Sequence, residues 1–433
     1  MSPIKKFNSK DKYIFSGILI GILVVVVIVS VRYQILGKKD SQTQTSPLFG
    51  YAECMRNNGI SSFPNPTDDE GISLSALKDN GIDIDSPAFK AATAACSSLL
   101  SPSTIVKTDP RNSSWEKITP SGDCQCADGS KFVFWTHIAD TKKIVLFFDG
   151  GGVCWDAETC AFTSNSIYRW HITDGDSPAF QNGIFDFSNP DNPFIGYSFI
   201  YVPYCTGDVH LGNVTRKYSP NLEVEHKGFA NGMSALNYLI ENYHEADQLV
   251  IIGVSAGSVA APIYAGLASD DLPHTKIIVF GDSSGAYPSN PEINTRILHQ
   301  WGLFTTMPNW KVNDGLTEQD WGFTQFWIQA GLHDQNLLMA RFDHAFDATQ
   351  AEYMAKVGLD TSDLLSSIDA NEKIIENAGV VLHTYIAPGT DHGVTSDQLF
   401  YTTTVNDVRL DDWIRAIITG EPLTDVHCET CTK

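Results

Sequence analysis

Positive charge is scarce in this sequence, with 29 Lys/Arg against 51 Asp/Glu, and much of it sits at the front. Residues 1–39 hold seven basic side chains and one acid, so residues 40–433 carry 22 basic against 50 acidic side chains, a formal charge of −28. Such a surface excludes nucleic acid as a natural partner and disfavours anionic substrates. Internal repeats and long low-complexity tracts are also missing from the body of the chain. No small-residue A-x-A pattern follows the first apolar segment, which argues against its removal as an export signal. Paired metal-ligand clusters are absent as well. Cys124-x-Cys126 and Cys428-x-x-Cys431 come without the matched second pair that structural zinc requires, so neither a metal nor an organic cofactor is expected.

What is present begins with residues 13–31, YIFSGILIGILVVVVIVSV, free of formal charge. At about 1.5 Å per residue this run extends about 28 Å, close to the roughly 30 Å of a bilayer's hydrocarbon core. The flanking lysines favour a cytoplasmic N-terminus. The expected organisation is a tail and transmembrane signal anchor over 1–33, a flexible stalk over 34–47, a small helical module over 48–103 and a catalytic domain over 104–433. A cleaved export signal is the alternative for the first segment. All nine cysteines then lie outside the membrane, at the cell surface, where disulfides form and an odd count leaves one sulfur over.

In the module, a helix carrying Tyr51, Cys54 and Met55 should stop at Gly59. A second should open with Ser86 as cap and Pro87 at the first turn, its apolar face formed by Phe89, Ala92, Cys96 and Leu99. Two short helices bury little surface, so a Cys54–Cys96 bridge would supply the missing constraint. The string from Cys54 to Cys96 resembles a small module of exported bacterial proteins.

From about residue 104 short β-branched runs alternate with helical patterns. Expected strands are 131–136, 143–148, 198–202, 249–254, 276–280, 337–342 and 380–386; 228–243 and 406–419 have helical periodicity. This alternation predicts an α/β fold, a mostly parallel sheet with helices on both faces. Trp301, Trp310, Trp321 and Trp327 fall in the long interval 283–336, expected either to cap the site or to pack in the core.

Chemistry concentrates in Leu249-Val-Ile-Ile-Gly253-Val-Ser255-Ala-Gly257, a buried-type strand running into Gly-x-Ser-x-Gly and a small-residue helix. Such a turn holds a serine at the carboxyl end of a strand, where flanking glycines avoid clashes. Pro262 is awkward for the helix that follows and predicts a kink or an early stop. A serine attacks esters when a histidine takes its proton and a carboxylate orients that histidine. His392, in a loop after the last strand, fits the base. The acid should fall between 255 and 392, and Asp347, Asp343 and Asp282 all qualify. Backbone amides of Gly151 and Gly152 in the Gly150–Gly152 turn, with that of Ala256, are the candidate oxyanion hole.

The motifs Phe148-Asp-Gly-Gly-Gly-Val-Cys-Trp155, Tyr201-Val-Pro-Tyr-Cys-Thr-Gly-Asp208, Gly253-Val-Ser-Ala-Gly257, Asp282-Ser-Ser-Gly285 and Asp347-Ala-Thr-Gln350 resemble, in this order, those of the pectin acetylesterase family. The resemblance implies an α/β-hydrolase fold over roughly 113–418, with Ser255 as nucleophile, Asp347 as acid and His392 as base. It also implies a Cys154–Cys160 disulfide beside the glycine turn. The substrate it implies is an acylated carbohydrate, losing short acyl groups such as O-acetyl from a polysaccharide. The family also includes removal of a long acyl chain from a protein. Gly152 and Ser258 depart from several members and bear on substrate preference. The alternatives are a lipase, polyester hydrolase or peptidase with the same triad, and a surface binding protein on an inactive scaffold.

Overall fold

The computed structural model describes residues 47–65, 82, 86–96 and 115–432. The apolar run 13–31 and the stalk residues 34–46 lie outside the described residues. Among the described residues no helix is long and apolar enough to cross a membrane. The chain divides into two compact units, residues 1–108 and 109–433.

In the first unit, α1 (Pro47–Asn57) and α2 (Pro87–Cys96) are joined by a Cys54–Cys96 disulfide. Gly59, at φ 99°, takes the left-handed conformation that ends α1. The Ser86 hydroxyl accepts the Phe89 N–H at 3.1 Å, which caps α2. Tyr51, Ala52, Met55, Phe63, Ala92 and Cys96 form its small core, with Phe89 packed on it. Leu99 lies outside the described residues.

The second unit is built on a nine-stranded sheet. In chain order the elements that position the site are β1 (Trp115–Ile118), β2 (Phe134–His137), β3 (Asp140–Phe148), β4 (Tyr197–Val202), the hairpin β5 (Val214–Ser219) and β6 (Leu222–His226), α3 (Gly228–Tyr243), β7 (Gln248–Val254), α4 (Ala256–Asp271), β8 (Lys276–Asp282), α5 (Pro291–Gln300), α6 (Phe323–His333), β9 (Leu338–His344), α7 (Ala348–Lys356), α8 (Leu364–Asn377), β10 (Leu382–Ala387), α9 (Leu410–Thr419) and β11 (Val426–His427). The sheet order is β1-β2-β4-β3-β7-β8-β9-β10-β11. Only the β1–β2 and β2–β4 pairings are antiparallel.

Strand side chains alternate between two cores, one on each face. Ile144, Leu146, Phe148, Leu249, Ile251 and Val279 pack on one side, and Val145, Phe147, Val250, Ile252, Ile278 and Phe280 on the other. A sheet covered on both faces needs apolar residues at consecutive positions, which is why these strands read as unbroken runs.

Several expectations shift. The run expected as a strand over 131–136 forms a strand only from Phe134 to His137, with Lys131 in an isolated bridge to Gln125, and the late helix begins at Leu410 rather than 406. β1, the β5–β6 hairpin and the two-residue β11 had no strong pattern. Pro262 neither stops nor shortens α4, which continues to Asp271. All four tryptophans of 283–336 are buried in the core, and Trp301 also lines the apolar cavity at Ser255.

Candidate active site

Ser255 stands between β7 and α4 at φ 53°, ψ −116°, outside the regions that side-chain-bearing residues ordinarily occupy. Such a conformation costs about 1–3 kcal/mol and persists where the surroundings fix it. Here the flanking glycines are compulsory: a Cβ at Gly253 would strike the Gly257 carbonyl group, and one at Gly257 would strike the Phe148 carbonyl. The Ser255 N–H is donated to the Asp282 carbonyl at 2.7 Å, tying the turn to the neighbouring strand β8.

His392 lies in the loop after β10. Its Nδ1 is 2.7 Å from Asp347 Oδ2. Asp347 is fully buried and caps α7, its Oδ1 accepting the Thr349 and Gln350 N–H groups at 2.9 Å each. Gln350 Nε2 donates to Asp347 Oδ2 at 3.0 Å. Burial pushes the His392 pKa down, but the hydrogen bond and charge of Asp347, with the charges of Asp282 and Asp343 behind it, more than offset this and hold it above its ordinary value. His392 Nε2 has no hydrogen-bond partner among the described residues, and it shares an open groove with Ser255.

The two rival acids have other work. Asp343 is buried against Arg341, whose Nε lies 3.0 Å from Oδ2, and its Oδ1 receives Gly285 N–H at 2.8 Å and Gln350 Nε2 at 2.9 Å. Burial raises its pKa despite the arginine. Asp282 Oδ2 accepts the N–H groups of Val394 and Thr395 and the Thr395 hydroxyl, at 2.9, 2.9 and 2.8 Å.

On the other side of Ser255 runs the turn Gly150–Gly152. Gly150 approaches so closely that a Cβ there would lie 2.8 Å from Ser255 Cβ, and Gly152 is left-handed at φ 75°. The Gly151 carbonyl accepts Arg169 N–H at 2.8 Å, while the Gly151 and Gly152 N–H groups have no backbone acceptor among the described residues. Ala256 is the first residue of α4, where helical amides lack an acceptor within the helix. Cys154 and Cys160 are disulfide-bonded beside this turn. Cys126–Cys205 and Cys428–Cys431 are bonded too, leaving Cys124 as the free thiol.

Sequence reasoning missed the residues around the turn. Asp149, just before it, is buried with Arg169 Nη1 at 2.6 Å, the Tyr201 hydroxyl at 2.7 Å and its neighbour Gly150 N–H at 2.9 Å, all on its carboxylate. Burial raises the Asp149 pKa and Arg169 opposes the rise. His210 Nε2 lies 2.8 Å from the Asp149 carbonyl, and burial lowers this histidine to about 4, so it is neutral. Asp149 stands inside the Phe148–Trp155 motif and could have been found there; nothing in the sequence marks Arg169.

Two cavities meet at Ser255, and Gly152 and Tyr353 line both. One is an apolar pocket walled by side chains such as Val209, Val259, Ile293, Ile297, Trp301 and Phe323. The other is a more open groove with His392, Arg169, Glu352, Thr349 and Ser396 on its walls.

A serine raised on a strand-to-helix elbow, opposite a histidine held by a buried carboxylate on a mostly parallel sheet, defines an α/β hydrolase. The model of the pectinacetylesterase family matches residues 112–319, just under half of the chain. It is 26% identical over 155 residues to palmitoleoyl-protein carboxylesterase NOTUM of Schmidtea mediterranea, covering 33% of this chain and 28% of the relative. To palmitoleoyl-protein carboxylesterase notum2 of Xenopus laevis it is 27% identical over 95 residues, covering 21% and 19%. The matched stretch therefore spans less than a third of either curated relative. The Wnt deacylase Notum from Drosophila has a similar fold, with a TM-score of 0.54 and 16% identity over 74% of this chain and 97% of that one.

Proposed function

We propose that this protein is a serine carboxylic-ester hydrolase that removes an apolar acyl chain longer than acetyl from a polar alcohol. His392 takes the Ser255 proton as the oxygen attacks the ester carbonyl, and Asp347 stabilises the imidazolium that forms. The Gly151, Gly152 and Ala256 N–H groups receive the oxyanion. Imidazolium returns its proton to the leaving alcohol, and water then cleaves the acyl-enzyme by the same relay. The observation that carries this reading is the apolar pocket opening at Ser255, with a polar groove on its other side. On this reading the acyl chain and the alcohol lie on opposite sides of the nucleophile. The names of the NOTUM relatives, palmitoleoyl-protein carboxylesterases, support a long acyl chain as the group removed.

Removal of O-acetyl groups from a polysaccharide is the second reading, supported by the description of the matching family. The setting we propose is extracytoplasmic and tethered through 13–31. Four disulfides among the described residues support an oxidising compartment.

The test is hydrolysis of p-nitrophenyl acetate, butyrate, octanoate and palmitate by the full chain and its Ser255→Ala variant. We expect kcat/KM to rise from acetate to octanoate and turnover to vanish in the variant. A maximum at acetate selects the second reading. No turnover of any ester by folded protein overturns both.

A further inference from the structure

Asp282 is a rival for the triad acid by sequence, yet its carboxylate is 0% exposed and does not touch His392. Its contacts instead run to the Ser255 backbone and to the segment just beyond His392. The main-chain carbonyl receives the Ser255 N–H at 2.7 Å. The side-chain Oδ2 receives three hydrogen bonds from Val394 and Thr395, two residues just beyond His392. Oδ1 accepts the Ser283 hydroxyl at 2.9 Å, and the Ser283 oxygen in turn accepts Gly393 N–H at 2.9 Å. Ser283 is held at φ 65°, a conformation a non-glycine residue adopts only when its surroundings impose it. Two consecutive side chains at the end of β8 therefore hold the three residues that follow the histidine, and the backbone of one also holds the serine.

We propose that Asp282 is the positioning residue that sets the distance and alignment between Ser255 and His392, with Ser283 as its second arm. This deepens the esterase reading above and rests on it. The physical reason is rigidity. Ser255 and His392 belong to segments 137 positions apart in sequence, and a loop carrying a catalytic base gains precision only from bonds to a rigid element. β8 lies beside β7 in the sheet, pairing from Gln248↔Lys276 to Val254↔Asp282, so one fixed strand end serves both groups. A buried carboxylate accepting four hydrogen bonds is also costly to replace, because each donor it leaves behind is a buried unpaired group.

Asp282 also places a negative charge near His392 in addition to that of Asp347, with Asp343 further behind and Arg169 and Glu352 on the groove walls. Negative charge favours the imidazolium, so removing it moves the acid limb of kcat/KM to lower pH. Ser283 carries no charge and should leave that limb where it is.

The experiment compares wild type, Asp282→Asn and Ser283→Ala as full chains, by kcat and KM on the best p-nitrophenyl ester, by the pH profile of kcat/KM, and by NMR titration of the His392 ring. For Asp282→Asn we expect kcat to fall at least tenfold with KM within twofold, and the acid limb and the ring titration both to move to lower pH. For Ser283→Ala we expect a smaller loss of kcat with the limb unmoved. A folded Asp282→Asn protein with wild-type kcat and an unmoved limb overturns the assignment. Where Asp282→Asn does not fold, Ser283→Ala decides, wild-type kcat overturning the proposal. If wild type hydrolyses no ester, the esterase reading fails separately. The ring titration then decides this one, a shift to lower pH supporting it and an unmoved ring overturning it.

Discussion

Asp347 Oδ2 meets His392 Nδ1 at 2.7 Å and Gln350 Nε2 at 3.0 Å, so one buried oxygen serves the histidine and is itself held by the helix it caps. The link makes activity and stability run in opposite directions with pH. His392 is shifted above the ordinary histidine value. Its charged pairing with Asp347 therefore stabilises the fold fully below about pH 6.5, the unfolded value, and that stabilisation is lost as pH rises through the folded value. A general base must be neutral, so kcat/KM should rise over the same window. Asp347→Asn should lower kcat by about 10⁴-fold and move the His392 titration downward. Stopped-flow or steady-state profiles between pH 5 and 9 check the first, and NMR of the ring checks the second.

Gly257 is the residue of the elbow least able to accept a side chain, because a Cβ would run into the Phe148 carbonyl, carbon and side chain together. Gly257→Ala should destabilise the protein by roughly 1–3 kcal/mol, the usual cost of overpacking, and lower kcat far more than KM by displacing Ser255. Urea unfolding reads the first effect and ester kinetics the second. Wild-type stability with wild-type kcat would contradict so close an approach of this helix start to β3.

How much of this was legible depended on whether the signal was local. The elbow was readable because a buried strand, two glycines and a small-residue helix are contiguous in sequence, and 228–243 carries its helical period unbroken. His392 and Asp347 lay on loops after strands, and the residues alone put Asp347 first while keeping Asp343 and Asp282 as rivals. Only their surroundings separate them: Asp347 faces the imidazole, Asp343 faces Arg341, and Asp282 faces backbone amides. Arg169 was invisible because its partner Asp149 is 20 positions away across an irregular segment. β11, at two residues, is specified by pairing with β10 rather than by any pattern of its own. The apolar pocket had no signal for the same reason, being assembled from α4, α5, the 152–155 segment and the residues near Val357.

The first unit poses a different problem, since its core among the described residues rests on a few side chains from two short helices together with Phe63 and Ile82. The Cys54–Cys96 bridge closes 42 positions, which in the chain-entropy account is worth about 4 kcal/mol. A Cys54→Ser/Cys96→Ser double variant should leave α1 and α2 open to protease while residues 115–432 remain resistant. Limited proteolysis of the full chain, with fragments identified by mass spectrometry, checks this. Equal resistance of both units in the variant would mean that the helices hold without the bridge.

The apolar pocket at Ser255 gives the most direct probe of substrate. Ile293 is partly buried on α5 and lines the cavity without belonging to the turn or the triad. Enlarging it in Ile293→Trp fills space in the pocket while leaving Ser255, His392 and the glycine turn untouched. A chain that occupies the pocket loses contacts and meets the indole, and discrimination of this kind in an apolar site amounts to about 1–3 kcal/mol, or roughly 10- to 200-fold. Octanoate and palmitate esters should therefore fall by that factor in kcat/KM, while acetate, which reaches only the mouth, should change by less than about twofold. An equal loss across the series would place the acyl chain elsewhere, leaving the open groove beside His392 as its site. An unchanged series would show that the reaction does not use the pocket at all.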